Sequence, residues 1–361
     1  MSLLRLQVTQ LRNLNWVDIL PSRDLNIIFG NNGSGKSSLL EAIHLLALGR
    51  SFRSNSIKNV ISHNCPSLTV YAEVNSSGHR LSVGIEREVG SGRIRIDGKN
   101  AHSLSELLSI LPLQFIGPDI QRSIESGPKF RRTLLDWGVF HVEHGFYPCW
   151  LRYKKLLKQR NAALKKREHH ETIVYWDGEI VKAAESLNAF RDSYLNTLSP
   201  LFEQQMSELA TDNSIIFKLN RGWPKDESLA DTLAKSLNRD IKSGFTAYGP
   251  HRADLIFSNE DGRVQDELSR GQLKLLVIAF KIAQVQLLQK LRNQRCVILL
   301  DDLPSELDSA NRAKVMNSLL ASDAQIFVTT TDKGHICYKT LAEDKEKKMF
   351  HVEQGLISEV I

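Results

Sequence analysis

Leu25-Asn26-Ile27-Ile28-Phe29-Gly30-Asn31-Asn32-Gly33-Ser34-Gly35-Lys36-Ser37-Ser38 runs from an apolar strand, through a glycine-punctuated loop, into a helix. Residues 25–29 have the short apolar run of a buried strand. Leu39, Leu40, Ile43, Leu46 and Ala47 share one face of the helix that follows. Between them, Gly30 to Ser37 fits the phosphate-loop pattern G-x-x-x-x-G-K-[ST]. Glycines permit backbone conformations that a side chain forbids. The N–H groups of Gly30, Asn31, Asn32, Gly33, Ser34 and Gly35 can therefore converge on phosphate oxygens. Lys36 supplies an ammonium for the β- and γ-phosphates, Ser37 a hydroxyl for Mg²⁺, and the helix starting at Ser38 its positive end. A glycine-rich turn without a ligand is the alternative, but it needs neither the strand before it nor the helix after it.

A second half of the same site is expected near the other end of the chain. Val297-Ile298-Leu299-Leu300 is an apolar strand that delivers Asp301 and Asp302 to its carboxyl end. A strand-end aspartate completes Mg²⁺ binding in phosphate-loop proteins, so Asp301 is assigned to the metal and Asp302 to the attacking water. Leu268-Ser269-Arg270-Gly271-Gln272 opens an apolar helix, which is an anion-binding arrangement as well as an ordinary helix cap. Around these motifs the pattern gives strands at 3–8, 70–74, 81–86, 93–96, 296–300 and 325–329. It gives helices over 273–291 and 310–320 and a long, charged, mainly helical stretch over 136–209. The expected organisation is one α/β domain built from both chain ends, residues 1–112 and 246–361, with a helical arm domain inserted at 113–245.

With 361 residues, 42% hydrophobic and 24% charged, the chain suits about two globular domains and not wholesale disorder. No apolar run approaches the roughly 18 residues of a membrane span, and no secretory leader is expected at the N-terminus. Four scattered cysteines without a CxxC pair read as free thiols in a reducing compartment. Forty-seven basic against forty-one acidic residues leave a net charge of +6, which permits a polyanionic partner. The excess is concentrated. Residues 151–167 include Arg152, Lys154, Lys155, Lys158, Lys165 and Lys166 and no acidic residue. By charge alone these six read as a solvated helix face; the resemblance given below makes them the candidate contacts to a DNA backbone. Tyr153, Tyr175 and Trp176 could stack on unpaired bases or belong to the core.

With the three nucleotide motifs in this order, the chain resembles the ATPase heads of the ABC type. Ser269, Gly271 and Gln272 stand in the signature, and Ser305-Glu306-Leu307-Asp308 in the D-loop. The wide separation of phosphate loop and signature is similar to the SMC-like branch of DNA-maintenance ATPases. Further stretches are similar to the RecF family of bacterial recombinational-repair and replication proteins. They are Gly49-Arg50-Ser51-Phe52-Arg53, Leu135-Asp136-Trp137-Gly138, Gly249-Pro250-His251-Arg252-Ala253-Asp254 and Leu300-Asp301-Asp302-Leu303-Pro304. The resemblance implies a cytoplasmic protein that binds ATP with Mg²⁺, dimerises on ATP and hydrolyses it weakly as a switch. It implies binding to gapped, single-stranded and duplex DNA without sequence preference, and work with RecR and RecO in loading RecA at gaps. Lys36, Ser37 and Asp301 of one subunit would hold each ATP, and Ser269 of the other would meet its γ-phosphate.

Two departures from the wider ABC pattern stand out. Asp302 replaces the usual glutamate and is shorter by roughly 1.5 Å of reach. The histidine usual after the last strand is absent; Thr329-Thr330-Thr331-Asp332 stands there, with Thr331 the candidate substitute. Gln114, after Pro112-Leu113, is the candidate Q-loop residue touching nucleotide and metal, with a surface glutamine as the alternative. An ABC-transporter ATPase subunit is the rival reading. It would have a compact head, a short gap between phosphate loop and signature, and that missing histidine.

Overall fold

The computed structural model describes every residue except 1, 77, 102, 211–214, 261, 303–306, 332–344 and 361. Ser305, Glu306 and Asp332 therefore lie outside the described residues. The chain forms two compact units, one from residues 1–120 and 278–361 and the other from 121–277.

The first unit is built on two six-stranded sheets. One is antiparallel, with Leu14–Ile19, Ser2–Leu11, Ser67–Ser76, His79–Glu88, Ser91–Ile96 and Lys99–Asn100 as neighbours in that order. Along Ser67–Ser76 buried residues largely alternate with more exposed ones, as a sheet with one covered face requires. In the other sheet the order is Leu356–Val360, Lys347–Glu353, Leu25–Phe29, Gln325–Thr330, Val297–Leu300, Leu113–Ile116. All its pairings are parallel except the terminal hairpin. Val297–Leu300 and Gln325–Thr330 are buried at every position, the mark of parallel strands covered on both faces. The helix Lys36–Leu48 packs against strands of both sheets. One continuous core joins Leu6 and Val70 to Ile43, Leu299 and Phe327.

The second unit packs helices Pro128–Val142, Phe146–Lys166, Asp177–Leu209 and Leu229–Ser243 with an antiparallel pair, Ile216–Asn220 and Asp254–Ser258. Its interior holds paired charges. Arg160, with no exposed surface, donates to Asp177 and Asp240 at 2.7 Å each and to Thr246 at 2.9 Å. Arg191 grips Asp136, and Arg131 grips Asp254, through two hydrogen bonds apiece. Arg160 thus leaves the basic stretch of 151–167 and becomes a structural cross-link.

Both expected boundaries differ from this division, for a backbone reason. Leu113–Ile116 hydrogen-bonds in parallel register to Val297–Leu300, so it belongs to the first unit. Asp254–Ser258 finds its partner in Ile216–Asn220, so residues 246–277 go with the second. Strand pairing satisfies obligatory backbone groups over long sequence distances, and composition does not record it. Among the described residues one helix, Arg270–Arg292, is long and apolar enough to cross a membrane, yet 72% of its most apolar window is buried inside the protein. Lys281 and the fully buried Gln284 interrupt it, as suits a core helix.

Candidate nucleotide site

The phosphate loop leaves the carboxyl end of Leu25–Phe29 and enters the helix Lys36–Leu48. Gly30 has φ +152°, and a Cβ there would stand 2.2 Å from the Val352 carbonyl oxygen, so the first turn admits only glycine. Asn13 clamps the loop from outside. Its Nδ2 donates to the Ser34 carbonyl at 2.9 Å, and its Oδ1 accepts from the Ser38 hydroxyl at 3.0 Å. The Ser34 hydroxyl is buried with no hydrogen-bond partner. Lys36 donates to the Gly30 and Asn31 carbonyls at 2.7 and 2.9 Å, which draws its ammonium under the loop. Burial pulls the Lys36 ammonium below the usual lysine range, and the Asp302 and Asp301 carboxylates oppose that shift.

Asp301 and Asp302 reach the same place from the carboxyl end of Val297–Leu300. The Ser37 hydroxyl donates to Asp301 Oδ1 at 2.9 Å. Thr329, from the adjacent parallel strand, donates to the same oxygen at 2.8 Å and accepts from the Asp302 N–H at 2.8 Å. Asp302 sits at φ +54°, a left-handed turn that ends the strand. Asn13, Lys36, Ser37, Asp301, Asp302 and Thr329 line an open cleft of about 480 Å³, with Arg12 and Arg53 also bordering it. Arg12 makes two 2.9 Å hydrogen bonds to Glu41, which has no exposed surface and also accepts from Ser51 at 2.5 Å. This knot ties the Gly49–Arg53 stretch to the helix after the phosphate loop.

The donor chemistry fits a nucleoside triphosphate with Mg²⁺. The phosphate loop offers backbone N–H groups and one ammonium, and Ser37 and Asp301 offer hard oxygen ligands. Among the described residues no group of three or more His, Cys, Asp or Glu could hold a metal alone.

Gln114 is not brought to this cleft. It is level with Ile298, two residues or roughly 7 Å short of the strand's carboxyl edge. Its side chain is buried, with Oε1 accepting from Lys281 at 2.6 Å and Nε2 donating to Gln284 at 3.1 Å. Burial pulls Lys281 down to about 8. The expectation that Gln114 touches nucleotide and metal is therefore corrected: it belongs to a buried polar network. Thr331 is exposed and absent from the cleft, where Thr329 stands instead. The sequence reading also missed Arg12 and Asn13, which the first strand pair positions beside the loop.

Ser269, Gly271 and Gln272 lie in the second unit, all exposed. The Ser269 N–H donates to Gln272 Oε1 at 2.9 Å, and the Gln272 N–H donates to the Ser269 hydroxyl at 3.3 Å. This reciprocal capping box orients the start of Arg270–Arg292 and leaves that surface facing outward. On Phe146–Lys166, residues Arg152, Lys154, Lys155, Lys158, Lys165 and Lys166 are all exposed. Arg152 pairs with Glu179, and the Lys154 ammonium stands 4.2 Å over the Trp150 ring. Tyr153 is buried, whereas Tyr175 is 75% exposed.

A family model described as the RecF/RecN/SMC N-terminal domain matches residues 2–358. Proteins named DNA replication and repair protein RecF, from Pseudomonas putida strain GB-1 and Pseudomonas syringae pv. tomato, are each 44% identical to this chain. Each alignment covers 99% of the chain and 98% of the relative. The chain belongs to the RecF family. A solved structure titled as the recombination mediator protein RecF with ATP in the RecFOR pathway aligns over 99% of the chain and 97% of its own. Its TM-score is 0.86 at 24% identity. An Smc head bound to the C-terminal winged-helix domain of ScpA aligns over 100% of the chain and 97% of its own, with a TM-score of 0.60 at 19% identity. Both share the fold, an ABC-ATPase-type head. The RecF-family stretches around Asp136 and Asp254 coincide with the buried ion pairs Arg191–Asp136 and Arg131–Asp254.

Proposed function

We propose that this protein is an ATP-controlled DNA clamp of recombinational repair and replication restart, acting in the cytoplasm. The carrying observation is the convergence of Lys36, Ser37, Asp301 and Thr329 on one phosphate-loop cleft. When bound, ATP with Mg²⁺ supplies the phosphoanhydride to be cleaved and neutralises its charge. Lys36 would serve the phosphates in exchange for its carbonyl partners, and Ser37 and Asp301 would hold the cation. Asp302, on its strained turn, orients water. Its short side chain favours slow turnover, which suits a switch better than a motor.

The capping box at Ser269 is exposed, so a second copy can use that helix start to meet the γ-phosphate. Two nucleotides then lie between two heads, and hydrolysis removes the contact that favours the dimer. The exposed lysines of Phe146–Lys166 follow a DNA backbone without reading bases. Partnership with RecR and RecO, and loading of RecA at gaps, rest on the family likeness and on the pathway named for the structural relative. The test is retention of gapped, single-stranded and duplex DNA by the wild type and Lys36→Arg, with and without ATP. Retention that ATP does not alter in the wild type would remove the clamp reading.

A further inference from the structure

The nucleotide cleft makes no use of Gly249-Pro250-His251-Arg252. In the second unit this motif packs tightly on Gly222. A Cβ on Gly222 would stand 2.1 Å from the Gly249 carbonyl oxygen, and one on Gly249 would stand 2.5 Å from the Tyr153 hydroxyl. Both glycines have positive φ, at +95° and +138°. His251 fastens the loop inward. The Tyr153 hydroxyl donates to Nδ1 at 2.6 Å, and Nε2–H donates to the Thr246 carbonyl at 3.1 Å. One acceptor and one donor are what a neutral imidazole offers. Next to it, Arg252 is exposed.

Arg252 stands 5.6 Å over the Phe245 ring, and Arg239, from Leu229–Ser243, stands 5.8 Å over Tyr248. With Trp223 these side chains line an open cleft of about 580 Å³. Phe245 is 44% exposed, so its ring is offered to the cleft and not to the core. Flat π faces interleaved with guanidinium groups meet the two needs of an unpaired nucleotide, a stacking surface and a phosphate partner. The cleft also adjoins the basic helix. A Cβ on Gly244, beside Phe245, would meet Lys165 Cγ at 3.3 Å. A backbone that follows the exposed lysines would pass Lys165, beside the segment that carries Phe245.

We propose that the cleft of Trp223, Phe245, Tyr248, Arg239 and Arg252 is a subsite for unpaired nucleotides of single-stranded DNA. It gives the helical unit a means of telling a strand with free bases from a closed duplex. The proposal rests on the DNA-binding reading of that unit and adds which part of the DNA is held where.

The test uses the full chain with an oligo(dT) probe and a blunt duplex of equal length, read by fluorescence anisotropy. Phe245→Ala should lower affinity for oligo(dT) by roughly five- to hundredfold, the range of one lost base–aromatic stack, with duplex affinity little changed. Arg239→Glu, on an exposed side chain, should flatten the single-strand salt dependence by about 0.7 in log–log slope. Quenching of tryptophan emission by oligo(dT) should shrink in Trp223→Phe. Wild-type oligo(dT) affinity in both Phe245→Ala and Arg239→Glu, with duplex binding intact, would overturn the proposal. So would a poly-glutamate peptide whose binding these variants abolish while oligo(dT) binding persists. Absence of binding to either DNA by the wild type would instead refute the reading beneath it.

Discussion

Thr329→Val replaces one hydroxyl by a methyl at nearly constant volume, at a position with 1% exposure. That hydroxyl has one proton to give. Asp301 Oδ1 at 2.8 Å takes it in preference to the Leu300 carbonyl at 3.4 Å, because the carboxylate is nearer and charged. The same oxygen accepts the Asp302 N–H at 2.8 Å. Valine removes both contacts, whereas Ser37 keeps its hold on Asp301. Loss of one charge-assisted bond and one backbone acceptor should lower unfolding free energy by about 2 kcal/mol. The larger effect is on chemistry. Asp301 and Asp302 lose the bridge that sets their relative position, and a displacement of about 1 Å can cost on the order of a hundredfold in rate. We expect phosphate release at saturating ATP to fall at least about tenfold. Nucleotide affinity should change little, since Lys36 and the loop N–H groups are untouched. Thr329→Ser keeps the hydroxyl and should recover most of the rate. Urea denaturation, steady-state phosphate release and titration with a fluorescent ATP analogue separate these effects. Wild-type turnover in a destabilised Thr329→Val protein would show that the threonine only holds the sheet together.

Other outcomes follow from the same geometry. Lys36→Arg keeps a charge but replaces a compact ammonium by a planar fork that does not fit under the Gly30 and Asn31 carbonyls. ATP binding should survive and hydrolysis fail, as phosphate release would report. Burial lowers His251 and His44 to about 4 and His141 to about 3, so the folded imidazoles stay neutral while unfolded ones take protons below about pH 6.5. Stability should therefore be fullest above that pH and decline toward pH 4, by up to about 2 kcal/mol per group at pH 5. Equal urea midpoints at pH 7.5 and 5.0 would contradict this. Changing Lys154, Lys155 and Lys158 to Glu should weaken duplex binding and flatten its salt dependence by about 0.9 per lost phosphate contact, with basal hydrolysis retained. An unchanged slope would return this helix to a solvated face.

Much of the nucleotide site was legible because local chemistry is unambiguous. Glycines at 30, 33 and 35, a lysine and a serine between strand and helix have few other uses, and an apolar strand ending in Asp301 is nearly as specific. The rest depended on pairing. Three consecutive threonines have equal chemistry, and only the parallel register of Gln325–Thr330 against Val297–Leu300 selects Thr329. Gln114 follows a proline and a leucine as a Q-loop residue would, but its strand carries it too far from the carboxyl edge. Arg160 reads as one more cation of a basic helix until Asp177 and Asp240, far along the chain, fold around it. The hairpin Lys347–Glu353 and Leu356–Val360 is polar at many positions. It gave no strand signal, though it completes the central sheet and supplies the Val352 carbonyl against Gly30.

Sedimentation velocity of the wild type and Ser269→Arg, each with and without ATP and Mg²⁺, addresses whether the nucleotide is shared between two copies. The capping box holds Ser269 outward, so an arginine there leaves the phosphate-loop cleft of its own chain intact while obstructing a facing one. The wild type should shift from monomer to dimer on ATP. Ser269→Arg should bind ATP and remain a monomer. A Ser269→Arg protein that dimerises with ATP as the wild type does would contradict the shared-nucleotide clamp.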